Sequence, residues 1–356
     1  MRVDAWSLRA PRAPLVAESR VEFPRAGEVL VRVRGCAVRA SDLAIFSGRI
    51  PVPIDLPLTL GNEISGNVVA AGRGAEHWRG HDVVIPSALP CGECAACNCG
   101  RSAMCPRTVI PGRNVHGGFA THVRVPARGL CLVPFLGDKA SNPGGLDLAT
   151  LALLSGTVAT PYQAIARSGL VEGDVAVFVG LGIHGLLGVQ IAVARGAHVV
   201  ALDPDPVRLE RAGELGAELP LLIDDTAGKP VAEHVDDFAS ERGCPPWRVR
   251  IYETCEKQRC RELAFGLLTA GRTLAVVGNR LGSASPPVPD LATHDATVFG
   301  SSGCAPERYA ELLQLALSGK LALKSLVEVR SLASVQHRFQ DLAHRPGFRR
   351  VVLVPE

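Results

Sequence analysis

The sequence predicts an α/β chain: an irregular β-rich domain, then a doubly wound parallel sheet, then a tail returning to the first domain. Three observations carry this. Up to about residue 130 the chain is rich in Val, Gly and Pro, with short strand-like runs broken by turn residues. From Asp174 short apolar runs alternate with helical stretches, the mark of a parallel sheet covered on both faces. After about residue 300 that alternation stops. With 356 residues, 47% of them hydrophobic, the chain can fill two cores.

Residues 29–34 alternate apolar and polar for part of their length, as a half-buried strand does, and residues 64–70 and 82–85 repeat the pattern. Residues 148–168 read as helical. Strands are expected at 176–179, 198–202, 249–252 and 273–277, with helices at 184–195, 206–215 and 259–268. A helix at 306–318 opens on Pro306, a residue suited to the first turn. Residues 350–354 close the chain as a strand, and the proline-rich stretch 285–289 reads as a loop. The expected division is 1–147, 148–298 and 299–356.

A formal charge of +3 argues against wholesale nucleic-acid binding. The longest apolar run, 151–159, is short and interrupted by Ser155 and Gly156, so no bilayer span is expected. The opening residues carry early charges and no apolar run, unlike a signal peptide, so a cytoplasmic location is expected. The eleven cysteines are odd in number, which with the length speaks against a secreted disulfide framework.

Gly180-Leu181-Gly182-Ile183-His184-Gly185 fits G-x-G-x-x-G. It follows an apolar strand, opens a helix, and is followed at the end of the next strand by Asp203, which is the context of a Rossmann dinucleotide site. Gly180 permits the tight turn, Gly182 lets backbone approach a pyrophosphate, Gly185 lets the helix pack, and the helix start at Ile183 receives the phosphate charge. Asp203 is suited to the adenine-ribose hydroxyls and repels a 2′-phosphate, favouring NAD over NADP. Arg208 lies near enough in sequence to touch the ribose. His184 faces the nicotinamide, caps the helix start or faces solvent.

Cys91-x2-Cys94-x2-Cys97-x7-Cys105 can wrap one Zn²⁺ tetrahedrally in a small lobe at about 88–108. Cys99 is spare. An iron–sulfur cluster or redox thiols are the other uses of such a set, but the gap before Cys105 is too long for the ferredoxin run. A closed Cys₄ site stabilises a lobe and does no chemistry.

This order of a β-rich lobe with a Cys₄ cluster, a Rossmann unit and a return resembles the zinc-containing medium-chain dehydrogenase/reductase family over nearly the whole chain. The resemblance implies a GroES-like catalytic domain and an NAD(H)-dependent oxidoreductase acting on a small molecule, without nucleic-acid or membrane partners, assembled as a homodimer or homotetramer. Several stretches (58–66, 85–131, 160–164 and 267–278) resemble one branch, the 6-hydroxycyclohex-1-ene-1-carbonyl-CoA dehydrogenases of anaerobic aromatic breakdown. Arg345, Arg349 and Arg350 could meet the phosphates of such a substrate, although a solvated surface is the commoner use of such a run.

The departures are as informative. The family's catalytic zinc takes a cysteine before a Ser/Thr-Asp pair; here Arg39 precedes Ala40-Ser41-Asp42. The family's Gly-His-Glu reads Gly61-Asn62-Glu63, and Gly156 stands where a Cys or Asp ligand is expected. Of the catalytic set only Glu63 remains, too little to hold zinc tightly. Cys36 is on the wrong strand parity to substitute. One expected arrangement has Arg39 in the vacated position, paired with Glu63, with Ser41 as proton donor; the other has Arg39 pointing to solvent over an empty pocket. Ala44 stands at the relay-histidine position, leaving His116 and His184 as stand-ins. Three functions then compete: hydride transfer to or from a conjugated cyclic carbonyl, an acyl-CoA thioester included; a metal-free alcohol dehydrogenase or ketone reductase; and a nucleotide-binding structural or regulatory protein without catalysis.

Overall fold

The computed structural model describes residues 1–134, 136–223, 229–255, 257–278, 288–337, 339 and 349–356. The chain divides into two compact units: Met1–Ala159 with Gly303–Gly319 and Leu323–Glu356, and Thr160–Ser302 with Lys320–Ala322.

The first unit opens with β1 (Arg2–Leu8), β2 (Val16–Val21), β3 (Glu28–Ala37), α1 (Ala40–Phe46), β4 (Leu58–Thr59), β5 (Glu63–Ala71) and β6 (Asp82–Ile85). The zinc-lobe segment holds one short helix, α2 (Ala95–Asn98), and β7 (His122–Pro126) and β8 (Cys131–Leu132) follow. The second unit runs α3 (Ala159–Ser168), β9 (Val175–Val179), α4 (Ile183–Ala194), β10 (His198–Asp203), α5 (Pro206–Glu214), β11 (Leu219–Leu222), α6 (Val231–Glu241), β12 (Val249–Glu253), α7 (Gln258–Gly266), β13 (Thr273–Val276), α8 (Val288–His294) and β14 (Thr297–Gly300). The return supplies α9 (Tyr309–Leu317), β15 (Val327–Ser331) and β16 (Arg350–Val354).

In the first unit β15, β16, β3, β5, β6 and β8 lie side by side, with β7 also on β3, and β2-β1-β4 make a smaller sheet. β3 and β5 are antiparallel, and their far ends bring Ala37 opposite Glu63. β3 buries Val29, Val31 and Val33, and β5 Ile64 and Val68, in one apolar cluster with Leu60, Ile85 and Phe119. The burial of these branched side chains on a pleated face is what holds the polar site residues at the strand ends.

The second unit has six parallel strands in the order β11-β10-β9-β12-β13-β14. Strand order reverses between β9 and β12, the switch point where open α/β sheets bind ligands at the carboxyl ends. All five residues of β9 are buried, as a central parallel strand requires.

Three expectations shift. Residues 148–168 are not one helix: a 3₁₀ turn at Thr150–Ser155 stops at Gly156, and α3 starts only at Ala159. Residues 148–159 also pack with the first unit rather than the second, moving the boundary from 147 to 159. The cause is polar as well as apolar, since Ser155 Oγ lies 3.0 Å from both the amide and the carbonyl of Ile64. Third, the stretch expected as a loop at 285–289 passes into α8 from Val288, while 285–287 lie outside the described residues.

Candidate functional site

The nucleotide turn is built from close approaches. Gly180 takes a left-handed φ of +95°, and a β-carbon there would lie 2.6 Å from the β-carbon of Cys255, just past β12. A β-carbon on Gly185 would lie 2.0 Å from the Gly180 carbonyl oxygen, and Gly182 faces open space. Ile183 and His184 begin α4, with Gly182 as its N-cap in extended conformation. Asp203 is buried at the end of β10; its Oδ2 accepts the Leu181 N–H at 2.6 Å and its Oδ1 that of Asp205 at 2.9 Å. Arg208 reaches back from α5, 3.9 Å from Asp203 and 3.4 Å from Asp205. A carboxylate has about four lone-pair sites, so Asp203 keeps acceptor capacity. The turn, the open face at Gly182 and the switch-point location fit a dinucleotide.

In the zinc-lobe segment the sulfurs of Cys91, Cys94, Cys97 and Cys105 all lie within 4.8 Å of one another. Cys94 and Cys97 are 3.5 Å apart, Cys91 and Cys97 4.0 Å, close to the roughly 3.8 Å edge of a zinc–thiolate tetrahedron. The Cys91 N–H donates to the Cys105 sulfur and holds that thiol down at about 6, whereas burial and neighbouring sulfurs push Cys97 up to about 11. Four thiols crowded without a cation oppose one another's ionisation; a divalent ion at the centre removes that conflict. The donor set fits structural zinc, and Cys99 is exposed outside it.

Arg39 is the residue before α1, in extended conformation. Its backbone N–H donates to Asp42 Oδ2 at 2.8 Å, and Asp42 Oδ1 accepts the Gly61 N–H at 3.2 Å. Asp42 thus ties the start of α1 to the turn before β5, and burial lifts its carboxyl to about 6. The Arg39 side chain is 22% exposed and places Nε 3.2 Å from Glu63 Oε1, while Nη1 donates to Asn62 Oδ1 at 2.7 Å. Asn62 is itself held, its Nδ2 donating to the carbonyls of Ser87 (2.9 Å) and Pro111 (3.1 Å). Glu63 is fully buried, with the Thr157 hydroxyl 2.8 and 2.7 Å from its two oxygens. Burial raises its pKa; the Arg39 and Arg350 guanidiniums and Thr157 oppose that rise. Gly156 closes the cluster: a β-carbon there would lie 2.7 Å from Glu63 Oε1 and 2.8 Å from Arg39 Nη1.

The three positions at which the resemblance expects catalytic ligands, Arg39, Asn62 and Gly156, lie together around Glu63. They present a guanidinium, an amide and no side chain, which do not fit a cation. Among the described residues the only group able to hold a metal through at least three His, Cys, Asp or Glu ligands is the cysteine cluster.

Ser41 is half-buried in the first turn of α1, and Ala44 follows on the same helix. Cys36 is buried in the core, with burial raising its thiol pKa. His116 accepts the Thr59 N–H at Nδ1, 3.2 Å away, so it belongs to the small sheet rather than to the Arg39 cluster. Sequence reasoning passed over Thr157, Asp42 and the place of Arg350 beside Glu63. A threonine beside Gly156 in an otherwise apolar run was the one available signal for Thr157.

Residues 25–135 match the alcohol dehydrogenase GroES-like domain family, and residues 184–318 the zinc-binding dehydrogenase family. The chain is 30% identical over 339 residues to an alcohol dehydrogenase of Geobacillus stearothermophilus, covering 94% of each. It is 26% identical over 321 residues to the L-galactonate-5-dehydrogenase of Escherichia coli strain K12, covering 90% of this chain and 89% of that one. A crystal structure of an alcohol dehydrogenase from Thermotoga maritima superposes with a TM-score of 0.85, 25% identity and full coverage of both chains. These define an oxidoreductase of the medium-chain class. The chain belongs to the zinc-binding alcohol dehydrogenase family. No helix among the described residues is long and apolar enough to cross a membrane.

Proposed function

We propose that this chain is an NAD(H)-dependent oxidoreductase that transfers hydride to or from a carbonyl compound with the Arg39 guanidinium, rather than a metal, facing the reacting oxygen. The observation that carries the reading is the fit of Arg39 against Glu63 and Asn62 in room that only a glycine at 156 leaves. Three replaced ligand positions that form one connected set speak for a working site more than for a decayed one.

The nicotinamide cofactor supplies or receives the hydride when bound. Gly180, Gly182, Gly185 and the start of α4 at Ile183 and His184 hold its phosphates, and Asp203 with Arg208 holds the adenine ribose. The Arg39 guanidinium stabilises negative charge developing on the substrate oxygen. Glu63 and Asn62 fix the guanidinium plane, so little reorganisation accompanies reaction. Ser41 delivers the proton. A fixed cation suits carbonyls whose oxygen gains charge early, so conjugated carbonyls, cyclic ones first, are the favoured substrates; the acyl-CoA thioester among them rests on sequence stretches alone. The edge of β14 is unpaired among the described residues, which supports assembly with a second copy as a dimer or tetramer.

The test is consumption of NADH against enones, enoyl thioesters, ketones and 2-oxo acids, with Arg39→Ala and Ser41→Ala alongside. Turnover lost by about 100-fold or more in Arg39→Ala, with unchanged NADH affinity, supports the reading. NADH binding with no turnover across the panel overturns it in favour of a nucleotide-binding protein without catalysis.

A further inference from the structure

We infer that the Arg39 site takes a 2-oxo acid, or the matching 2-hydroxy acid in the other direction, held by its carboxylate and reacting oxygen together. The inference rests on the hydride-transfer reading above and puts a 2-oxo acid in place of the conjugated cyclic carbonyl as its substrate.

A metal ion presents one point of charge to one oxygen. A guanidinium presents a planar fork of parallel N–H groups, which matches two coplanar oxygens. In Arg39 the Nε lies 3.2 Å from Glu63 Oε1 as an ion pair, and one Nη1 hydrogen is donated to Asn62. The remaining Nη1 hydrogen and the Nη2 group find no acceptor among the described residues, on a side chain that is 22% exposed. The unused edge is a bidentate donor. In a 2-oxo acid one carboxylate oxygen and the carbonyl oxygen lie syn and coplanar, and each meets one arm of the fork.

Charge agrees with shape. Glu63 is the carboxylate facing both Arg39 and Arg350, so two guanidiniums share it. The other nearby carboxylate, Asp42, spends its oxygens on the backbone N–H groups of Arg39 and Gly61. The fork is also rigid. Asn62 cannot turn its amide without losing two carbonyl partners, and Glu63 is clamped by Thr157. A preorganised fork discriminates sharply against analogues that leave it unfilled.

In reduction the hydride adds to C2 and the carbonyl electron pair moves to the oxygen held by Arg39. The Ser41 hydroxyl protonates that oxygen and regains its proton from solvent, giving the 2-hydroxy acid. Oxidation runs the same transfers in reverse.

The experiment compares straight-chain 2-oxo acids with their methyl esters, simple ketones and enones on the intact enzyme with NADH. Calorimetric binding of oxamate, an unreactive planar analogue, is measured alongside for wild type and Arg39→Lys. The inference expects kcat/KM for the acid to exceed that of its ester by at least about 100-fold. It expects oxamate binding to weaken by a similar factor in Arg39→Lys, which keeps the charge and loses the fork, with NADH binding unchanged. Esters, ketones or enones turned over as well as the acids would overturn this inference and leave the hydride-transfer reading standing. No turnover of any of them would overturn both.

Discussion

Arg39 and Gly156 share one volume: a β-carbon at residue 156 would lie 2.8 Å from the Arg39 Nη1 and 3.1 Å from its Cζ. The glycine is needed for that space and not for its backbone, since φ at Gly156 is −155°. An arginine at 39 and a glycine at 156 are therefore one feature written in two distant parts of the sequence.

Gly156→Ala is the direct consequence. The added methyl meets the ends of two side chains rather than backbone, so the fold survives at a cost of about 1–3 kcal/mol while Arg39 is displaced. Chemical denaturation should register that modest loss, and kcat/KM should fall by a much larger factor. A Gly156→Ala enzyme with wild-type kinetics would separate the two residues.

Asp42 gives the protein a pH signature. Burial raises its carboxyl from 3.8 to about 6, so the folded state holds this proton more tightly than the unfolded chain does. Between about pH 4 and pH 6 the native state binds more protons, and stability from this group falls as pH rises, its destabilisation complete above about 6. The size is on the order of a few kcal/mol. Urea unfolding of wild type and Asp42→Asn across this window should show wild type losing ground to the variant as pH rises. A difference that stays flat from pH 4 to 7 contradicts the assignment.

The nucleotide turn predicts a cofactor switch. Asp203→Ser removes the buried carboxylate that repels a 2′-phosphate and leaves Arg208, still paired with Asp205, beside that position. The ratio of kcat/KM for NADH over NADPH should fall by at least about 10-fold. An unchanged ratio, with both cofactors still bound, would remove Asp203 from the ribose site.

Much of the fold was readable from residues alone, for reasons that differ by element. β5, β6, β9 and β10 were legible because a short run of Val and Ile between turn residues rarely forms anything but a buried strand. The G-x-G-x-x-G turn and the cysteine spacing were legible because close approach and tetrahedral ligation restrict both residue type and separation. β11, with Leu219 to Leu222 around Pro220, and the short edge strand β14 were not, since their apolar patterns are weak. Residues 148–159 misled in another way. Their composition suits a helix, yet Ser155 bonds to Ile64 and Gly156 ends the turn, contacts that exist only across 91 residues of chain. Arg39, Asn62 and Gly156 were each visible as departures; that Thr157 clamps Glu63 and that Asn62 is locked by Ser87 and Pro111 is set by tertiary geometry. Of the arginines near the end of the chain, Arg345 lies outside the described residues, and Arg350 donates to the Val38 carbonyl beside the site.

The central claim is that one pocket of this zinc-family enzyme works through a guanidinium while the cysteine cluster alone keeps a metal. Zinc per chain, measured by elemental analysis on protein purified without chelators or added metal, tests it most directly. The account predicts about one zinc per chain, falling to near zero in Cys94→Ser together with Cys105→Ser. About two per chain, with one retained in that double variant, would place a metal where Arg39 stands and contradict the account.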